Sequence, residues 1–215
     1  MPPLIIRSVA VPTLQIRRTP FSIEDPWALP AKVDRIPLCR AADSRRPRLQ
    51  TTVAVFADAT HLNVLFQADD DGIVATHLVH DAPLYEEDVV EIFVAPSDAS
   101  HYFELEVNPL GTTFDARIES PNGTRAAMKV DIGWECAELF AAVRKTPAKT
   151  ETIVRIPFAS LGVSAPNGST EWLANFFRID RSKSHGDEFS AWSATFKNPP
   201  DFHVTSAFGR LRFQP

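Results

Sequence analysis

The residues best suited to chemistry are five acidic side chains in two short stretches, Glu87-Asp88-x-x-Glu91 and Glu104-x-Glu106. Glycoside hydrolysis uses two carboxyl groups roughly 5–10 Å apart, one of which has a raised pKa. On a β-strand, Glu104 and Glu106 would share one face at a separation of about 7 Å. The spacing permits such a pair, but alternating glutamates are more typical of a solvent-facing strand. We therefore expect a binding protein rather than an enzyme.

Two other groups carry potential metal ligands. His77-x-x-His80 followed by Asp81 offers the nitrogen and oxygen donors that zinc accepts. The turn Asp69-Asp70-Asp71-Gly72 is rich in oxygen and suits a hard cation. Histidines and acidic turns are also common on solvated surfaces. We expect no required cofactor and regard Asp69, Asp70 and Asp71 as a candidate structural calcium site.

The overall charge and the absence of known motifs exclude several classes of partner. The formal net charge of the 215-residue chain is -5, so a nucleic-acid backbone would be repelled on average. No stretch approaches the ~20 apolar residues of a membrane span. No Gly-rich phosphate loop, serine elbow or Cys–His nucleophile stands out. We expect neither nucleic acid nor membrane as a partner.

Two sequence features leave questions open. The first residues show no basic region followed by a long apolar run, so no signal peptide is visible in this chain, and the compartment stays open. Cys39 and Cys136 could form one disulfide or remain as two buried thiols, and the sequence does not decide between them.

The elements that must position these residues are β-strands. From residue 51 onward, apolar and polar residues alternate with a period of two, which is typical of strands with one face in a core. In one strand, Phe103, Leu105 and Val107 share a face opposite Glu104 and Glu106. Ten strands are predicted, over residues 51–57, 62–69, 89–95, 102–108, 113–118, 137–145, 151–157, 172–180, 189–195 and 208–213.

The segments between these strands hold many turn-forming residues. The chain has 18 prolines and 8 glycines, which argues against a helical bundle, and one short helical turn is predicted over residues 158–162. We predict an all-β, two-sheet antiparallel β-sandwich, jelly-roll-like, with about ten strands and little helix. No linker divides the chain. The prediction is a single domain over residues 1–215, in which residues 1–50 form an irregular, proline-rich part.

Three stretches follow one another in the order and spacing of a known family. The first contains Tyr85-x-x-Asp88-x-Val90-Glu91-Ile92-Phe93-Val94, the second ends in Val107-Asn108, and the third contains Trp172 to Asp180, Trp192-Ser193 and Phe208-Gly209-x-Leu211. Together they resemble the family 9 carbohydrate-binding modules of the DOMON-like superfamily. The resemblance covers residues from about 50 to 215. Each of the three motifs is weak alone, and the match to the family is specific because they occur together in the correct order.

The resemblance implies non-catalytic carbohydrate binding, in which two aromatic rings enclose a sugar unit and polar side chains bind its hydroxyls. The two rings fall on Tyr85 and Phe202, where well-known members have Trp. Some members also carry structural calcium. The expected ligand is an oligo- or polysaccharide of plant cell-wall type, bound by a monomer, and the family suggests a secreted or periplasmic location.

Comparison with the family places four polar residues in the predicted binding site, and a fifth, an asparagine, is added to them. Glu91 and Asn108 match a hydrogen-bonding Glu and Asn, and Arg178 is the nearest cation on the strand where the family places a polar contact. Glu106 stands where some members have Arg, which changes the hydroxyls engaged or suits a cation bridging Glu91, Glu104 and Glu106. Asn198, in the loop before the last strand, completes the predicted set.

Each of these residues also has a structural interpretation. Tyr85 could anchor a loop, Phe202 could fill space under a loop, and Glu91 could form an ion pair with Arg178 inside the sandwich. Two alternative functions remain open as well. One is a glycan-active enzyme that uses a Glu/Asp pair, and the other is an accessory or interaction domain that no longer binds sugar.

Overall fold

The computed structural model describes residues 11–28, 30 and 32–215. In these residues the chain forms fourteen β-strands and three single-turn 3₁₀ helices. The strands are β1 (Thr13–Ile16), β2 (Ile36–Pro37), β3 (Cys39–Arg40), β4 (Thr51–Ala57), β5 (His61–Asp69), β6 (Val89–Ala95), β7 (His101–Val107), β8 (Thr113–Glu119), β9 (Lys129–Asp131), β10 (Phe140–Thr146), β11 (Lys149–Pro157), β12 (Glu171–Asp180), β13 (Glu188–Ala191) and β14 (Gly209–Phe213). The 3₁₀ helices are Leu84–Glu86, Arg125–Ala127 and Thr205–Ala207.

The strands form two sheets that make a β-sandwich, as predicted. The larger sheet has the order β1-β14-β12-β6-β7-β8-β9, with β13 paired to β12 and β3 paired to β13. The smaller sheet has the order β10-β11-β5-β4-β2. The pairing between β1 and β14 is parallel, and the other strand pairs of the described chain are antiparallel.

The core between the sheets explains the alternation seen in the sequence. Ile92 of β6, Leu105 of β7 and Phe176 of β12 pack in one cluster with Val64 and Phe66 of the smaller sheet. Successive side chains of a strand point to opposite faces. Their neighbours in sequence therefore lie on the outer face of the larger sheet.

That outer face is covered by loops and forms a second apolar cluster. Phe93, Tyr102, Phe177 and Phe208 are buried there, and the ring centroids of Phe93 and Phe177 are 5.0 Å apart. Because this face is not simply solvated, polar side chains on it lie in a partly dry environment. This is the face on which the acidic residues of β6 and β7 lie.

Several predictions at the edges of the fold need correction. Part of the N-terminal segment, predicted as irregular, forms β1, β2 and β3, while residues 1–10, 29 and 31 lie outside the described residues. The segment 158–162 is a hydrogen-bonded turn rather than a helical turn, in which Gly162 adopts φ 71°. Strand β13 ends at Ala191 rather than at residue 195.

The state of the two cysteines, which the sequence left open, is answered by the structure. Cys39 and Cys136 are free thiols, and burial raises the pKa of Cys136 to about 12. In the described ranges, no helix combines the length and the apolar character needed to cross a lipid bilayer.

Candidate functional site

A cleft of about 920 Å³ opens on the outer face of the larger sheet. Its base is formed by β6, β7, β8 and β12, and its walls by the segments around residues 81–85, 125–132 and 197–203. Apart from β9 and the 3₁₀ helices Leu84–Glu86 and Arg125–Ala127, the walls are loops, in which proline, glycine and short polar residues interrupt the alternation. Residues with contrasting chemistry line the cleft, among them Tyr85, Glu91, Glu104, Arg181, Asn198 and Phe202.

The base of the cleft holds three carboxylates, Glu91, Glu104 and Glu106, which we call the carboxylate floor. Glu91 of β6 lies directly opposite Glu106 of β7 in the antiparallel register. One oxygen from each of the three glutamates lies within 4.8 Å of the oxygens of the other two. All three side chains are buried. Glu91 Oε1 and both carboxylate oxygens of Glu106 have no hydrogen-bond donor among the described residues.

Burial and mutual repulsion keep the floor partly protonated. Burial raises the pKa of Glu104 to about 7. Burial, followed by the charges of the neighbouring glutamates, raises the pKa of Glu106 and of Glu91 well above the ordinary value. A proton on Glu106 can be donated to Glu104, which raises the pKa of Glu106 further. The expected solvated strand face is therefore wrong for these glutamates.

A neutral histidine lies beside the floor. The Nδ1 atom of His203 is 2.7 Å from the hydroxyl of Tyr102, and its Nε2 atom is 3.8 Å from Glu104 Oε1. Burial, with the charge of Arg125, lowers the pKa of His203 to about 4. The ring is therefore uncharged at neutral pH and does not compensate the charge of Glu104.

Cationic side chains lie on the walls instead. Arg181 donates to the carbonyl oxygen of Tyr85 at 2.7 Å and to Asp187 at 2.6 Å, and its guanidinium carbon lies 5.3 Å from the centroid of the Phe189 ring. Arg125 forms an exposed ion pair with Asp201 at 3.0 Å. These contacts hold the two arginines at the rim.

The two predicted aromatic rings have different surroundings. The Tyr85 residue is 49% exposed and lines the cleft. Phe202 is only 7% exposed, and its ring stacks on that of Phe177 with centroids 4.1 Å apart and planes 11° apart. Tyr85 offers a free ring, whereas one face of Phe202 is already occupied by the protein.

Some of the predicted polar residues lie at the cleft, and others are held elsewhere by the protein. Glu91 and Asn198 line the cleft, and Glu106 belongs to the floor beneath it. Asn108 is buried in a turn, where its side chain donates to the carbonyl of His77 and accepts from Leu110 and Thr112. It is not among the residues that line the cleft.

Arg178 lies on the opposite face of the larger sheet. Its guanidinium group donates to Asp180 at 2.8 Å and to the carbonyl of Asp69 at 2.7 Å. It therefore forms an ion pair with Asp180 and not with Glu91, and it does not reach the cleft.

The acidic turn predicted as a calcium site is held by protein donors. Asp69 pairs with Lys149 at 3.1 Å, Asp71 pairs with Arg48 at 2.5 Å, and Asp70 accepts from Gly72 and Thr150. Among the described residues, these three carboxylates do not form a cluster of potential metal ligands. The turn, with its carboxylates directed to separate partners, does not fit a calcium site.

Part of the predicted histidine group does come together. His80 and Asp81 lie beside Glu135, with one donor atom of each within 4.8 Å of the others. The described part of the chain does not place His77 in this cluster.

The sequence interpretation missed Arg181 and Phe189 in the cleft. Phe177 and Ile179 face the outer side of the larger sheet. Arg181 is two residues further along, so the alternation of β12 predicts that its side chain faces the same side. Phe189 has no comparable signal, because it reaches the cleft through the pairing of β13 with β12.

A two-sheet β-sandwich with an aromatic and acidic cleft on the outside of one sheet has the architecture of a ligand-binding module. The profile of carbohydrate-binding family 9 matches residues 32–213. The chain belongs to carbohydrate-binding family 9, which confirms the resemblance.

The chain is also similar to individual proteins. An "Extracellular protein" from Arthroderma benhamiae is 26% identical over 204 residues, which cover 84% of this chain and 90% of the relative. The structure of a candidate carbohydrate-binding protein from Bacteroides uniformis superposes with a TM-score of 0.72 at 18% identity, covering 95% of this chain and all of that one. A family 9 module from Caldicellulosiruptor kristjanssonii, solved in complex with cellotriose, superposes with a TM-score of 0.65 at 14% identity. The match covers 94% of this chain and 93% of that one.

Proposed function

We propose that the cleft binds a carbohydrate unit and catalyses no reaction on it. The observation that carries the proposal is the exposed ring of Tyr85 in the same cleft as the carboxyl group of Glu91, a buried residue that lines the cleft. A pyranose offers a C–H face that stacks on an aromatic ring and hydroxyls that donate to a carboxylate. The two side chains meet both requirements.

Other residues of the cleft complement the rest of a sugar ring. Arg181 and Asn198 can donate to ring and hydroxyl oxygens, and Glu104 can accept from a hydroxyl or, when protonated, donate to one. The carboxylate floor repels anionic groups, so a neutral sugar fits the base of the cleft better than a uronate does. Phe202 contributes the edge of its ring, since Phe177 covers one face.

Membership in family 9 and the fold shared with the cellotriose-bound module support this proposal. We propose a β-linked oligo- or polysaccharide of plant cell-wall type as the ligand, and a monomer as the binding form. Predicted roles for Asn108 and Arg178 as direct contacts are not carried into this proposal, because other protein groups occupy both side chains.

The test is calorimetric titration of the full chain with cellotriose. We expect saturable binding by the wild type. Loss of the ring in Tyr85→Ala should weaken binding by about two- to tenfold, because an aromatic contact contributes about 0.5–1.5 kcal/mol. Tyr85→Phe keeps the ring and should bind like the wild type. Glu91→Gln replaces the carboxyl group with an amide and should weaken binding by a similar factor.

An exposed apolar residue outside the cleft gives the matched control. Leu110 is 40% exposed, and Leu110→Ala should leave affinity unchanged. Absence of binding to cellotriose and to a panel of neutral oligosaccharides would refute the proposal and favour an interaction domain. Release of shorter sugars from cellotriose would instead favour a glycan-active enzyme using the carboxylate floor.

A further inference from the structure

A second group of potential ligands surrounds His80, at one end of the cleft. The Nε2 atom of His80 lies 3.2 Å from Glu135 Oε2, 3.4 Å from Asp81 Oδ1 and 3.9 Å from Asp115 Oδ2. We call these four residues the His80 cluster. They come from the segment before the 3₁₀ helix Leu84–Glu86, from β8 and from the segment after β9. The cluster joins three separate parts of the chain.

The imidazole ring of His80 is oriented in the way that metal-binding histidines usually are. Its Nδ1 atom lies 2.8 Å from the carbonyl oxygen of Thr113. A carbonyl oxygen only accepts, so Nδ1 carries the hydrogen. Nε2, which lies 3.2 Å from a carboxylate oxygen of Glu135, is the nitrogen that would give up its proton to a metal. A backbone carbonyl that holds the far nitrogen in this way fixes the ring and increases the basicity of the ligating nitrogen.

Asp115 provides a second, independent observation. Its side chain is 2% exposed, and its Oδ1 accepts from the backbone N–H of Cys136 at 3.1 Å. Its Oδ2 atom lies 3.9 Å from Nε2 of His80, which is too long for a hydrogen bond. A buried carboxylate oxygen is expensive without a positive partner. A divalent ion bound beside His80 would supply that positive charge.

The separations within the cluster suit a small divalent ion. Tetrahedral zinc with ligands at roughly 2.0–2.2 Å separates its donor atoms by about 3.3–3.6 Å, which is close to the 3.2 Å and 3.4 Å from Nε2 to Glu135 and Asp81. The 3.9 Å to Asp115 is longer, and Asp115 lies outside the group whose donor atoms are all within 4.8 Å of one another. An imidazole ligand favours zinc over calcium or magnesium, which prefer oxygen alone. Glu135 is 64% exposed at its side chain and leaves an open path for the ion.

We propose that His80, Asp81 and Glu135 bind one Zn²⁺ ion and that the buried carboxylate of Asp115 adds a favourable negative charge beside it. The ion would tie the segment of His80 and Asp81 to the segment of Glu135. Since Asp81 also lines the cleft, the ion would fix that wall. The proposal does not depend on carbohydrate binding.

Calorimetric titration of the metal-free full chain with ZnCl₂ tests the proposal. We expect one equivalent to bind, His80→Ala to weaken binding by at least about tenfold, and Asp115→Asn to do the same. The amide of Asp115→Asn still accepts from Cys136, so this variant should keep the fold. His101→Ala removes an exposed histidine outside the cluster and should bind zinc like the wild type.

A Co²⁺ absorption spectrum gives an independent readout of imidazole ligation, and the His80→Ala spectrum should differ from that of the wild type. If His80→Ala fails to fold, Glu135→Gln at an exposed position decides instead, with the same expected loss. No zinc binding by the wild type would overturn the proposal and leave the cluster as an ion-pair network. Wild-type affinity in Asp115→Asn or Glu135→Gln, or equal affinity for CaCl₂, would also overturn it.

Discussion

Glu91 and Glu106 lie directly opposite each other on adjacent antiparallel strands, and both side chains are buried on the same face of the sheet. Like charges in this position are destabilising, and burial adds the cost of desolvation. An oxygen of Glu104, the third member of the floor, lies within 4.8 Å of oxygens of both residues. The fold therefore tolerates a costly arrangement where the candidate ligand would bind.

The first prediction concerns the pH dependence of stability. An unfolded glutamate titrates near 4.5, whereas Glu104 in the fold titrates near 7. Below pH 4.5 both states hold the proton and no stability is lost. As the pH rises from 4.5 to 7, the unfolded chain ionises while the folded chain retains its proton, so stability falls. The pKa values of Glu91 and Glu106 are also raised, so these two residues add to the loss of stability as the pH rises.

Glu106→Gln should reduce this loss. Its amide can donate to the neighbouring carboxylates, so we expect the free energy of unfolding at pH 8 to increase by about 1–3 kcal/mol, with little change at pH 4.5. Urea unfolding at both pH values measures the effect. Exposed Glu119→Gln on β8 serves as the control and should behave like the wild type. A variant less stable than the wild type at pH 8 would contradict the repulsion argument.

The second prediction separates the two aromatic rings of the cleft. Phe202→Ala should lower the free energy of unfolding by about 3–5 kcal/mol, because the ring is buried against Phe177. Tyr85→Ala, at a half-exposed position, should change it by no more than about 0.5 kcal/mol. Chemical denaturation of both variants checks the contrast. Equal effects of the two substitutions would show that the ring of Phe202 is not part of the core.

The strands were predictable because a strand with one face in the core has to alternate. The predicted bounds of β4 and β6 match the structure, since apolar and polar residues differ clearly there. The glutamates of β7 also lie on the predicted face. Their burial was not predictable, because it depends on loops that cover the outer face, and the positions of loops do not follow from alternation.

The candidate site was predictable only in part for a related reason. On β12, Phe176 faces the sandwich interior and Phe177 faces the outer cluster. Apolar residues on both faces conceal the phase of the strand, and so the resemblance placed Arg178 in the site although it lies on the other side. Glu135 joins His80 from 55 positions away, a contact that sequence spacing does not specify.

The third prediction concerns Arg178. Arg178→Met removes the partner of Asp180, a side chain that is 3% exposed and keeps only the longer contact with Arg48. We expect a loss of about 1–3 kcal/mol in the free energy of unfolding, and unchanged affinity of the folded variant for cellotriose.

Arg117→Met provides the comparison, because Arg117 forms an exposed ion pair with Asp131. Such pairs contribute at most about 1 kcal/mol. Unfolding curves and titrations of both variants measure the two effects. Loss of cellotriose binding in folded Arg178→Met would contradict its placement away from the cleft.

The last prediction concerns Gly209, where the backbone of β14 approaches a tryptophan ring. A Cβ atom at this position would lie 2.6 Å from Cη2 of Trp192 and 2.8 Å from the carbonyl oxygen of Pro12. Trp192 packs against Phe176 with centroids 5.5 Å apart, so its rigid ring has no free direction in which to move. Gly209→Ala should therefore cost about 1–3 kcal/mol through overpacking.

Gly72→Ala, with no atom within 4 Å of the added Cβ, should stay within about 0.5 kcal/mol of the wild type. Trp192→Phe should cost less in the Gly209→Ala background than alone, because the smaller ring relieves the clash, and a double-mutant cycle of unfolding free energies measures that difference. Strictly additive effects would mean that the clash is relieved by separation of β1 from β14 instead.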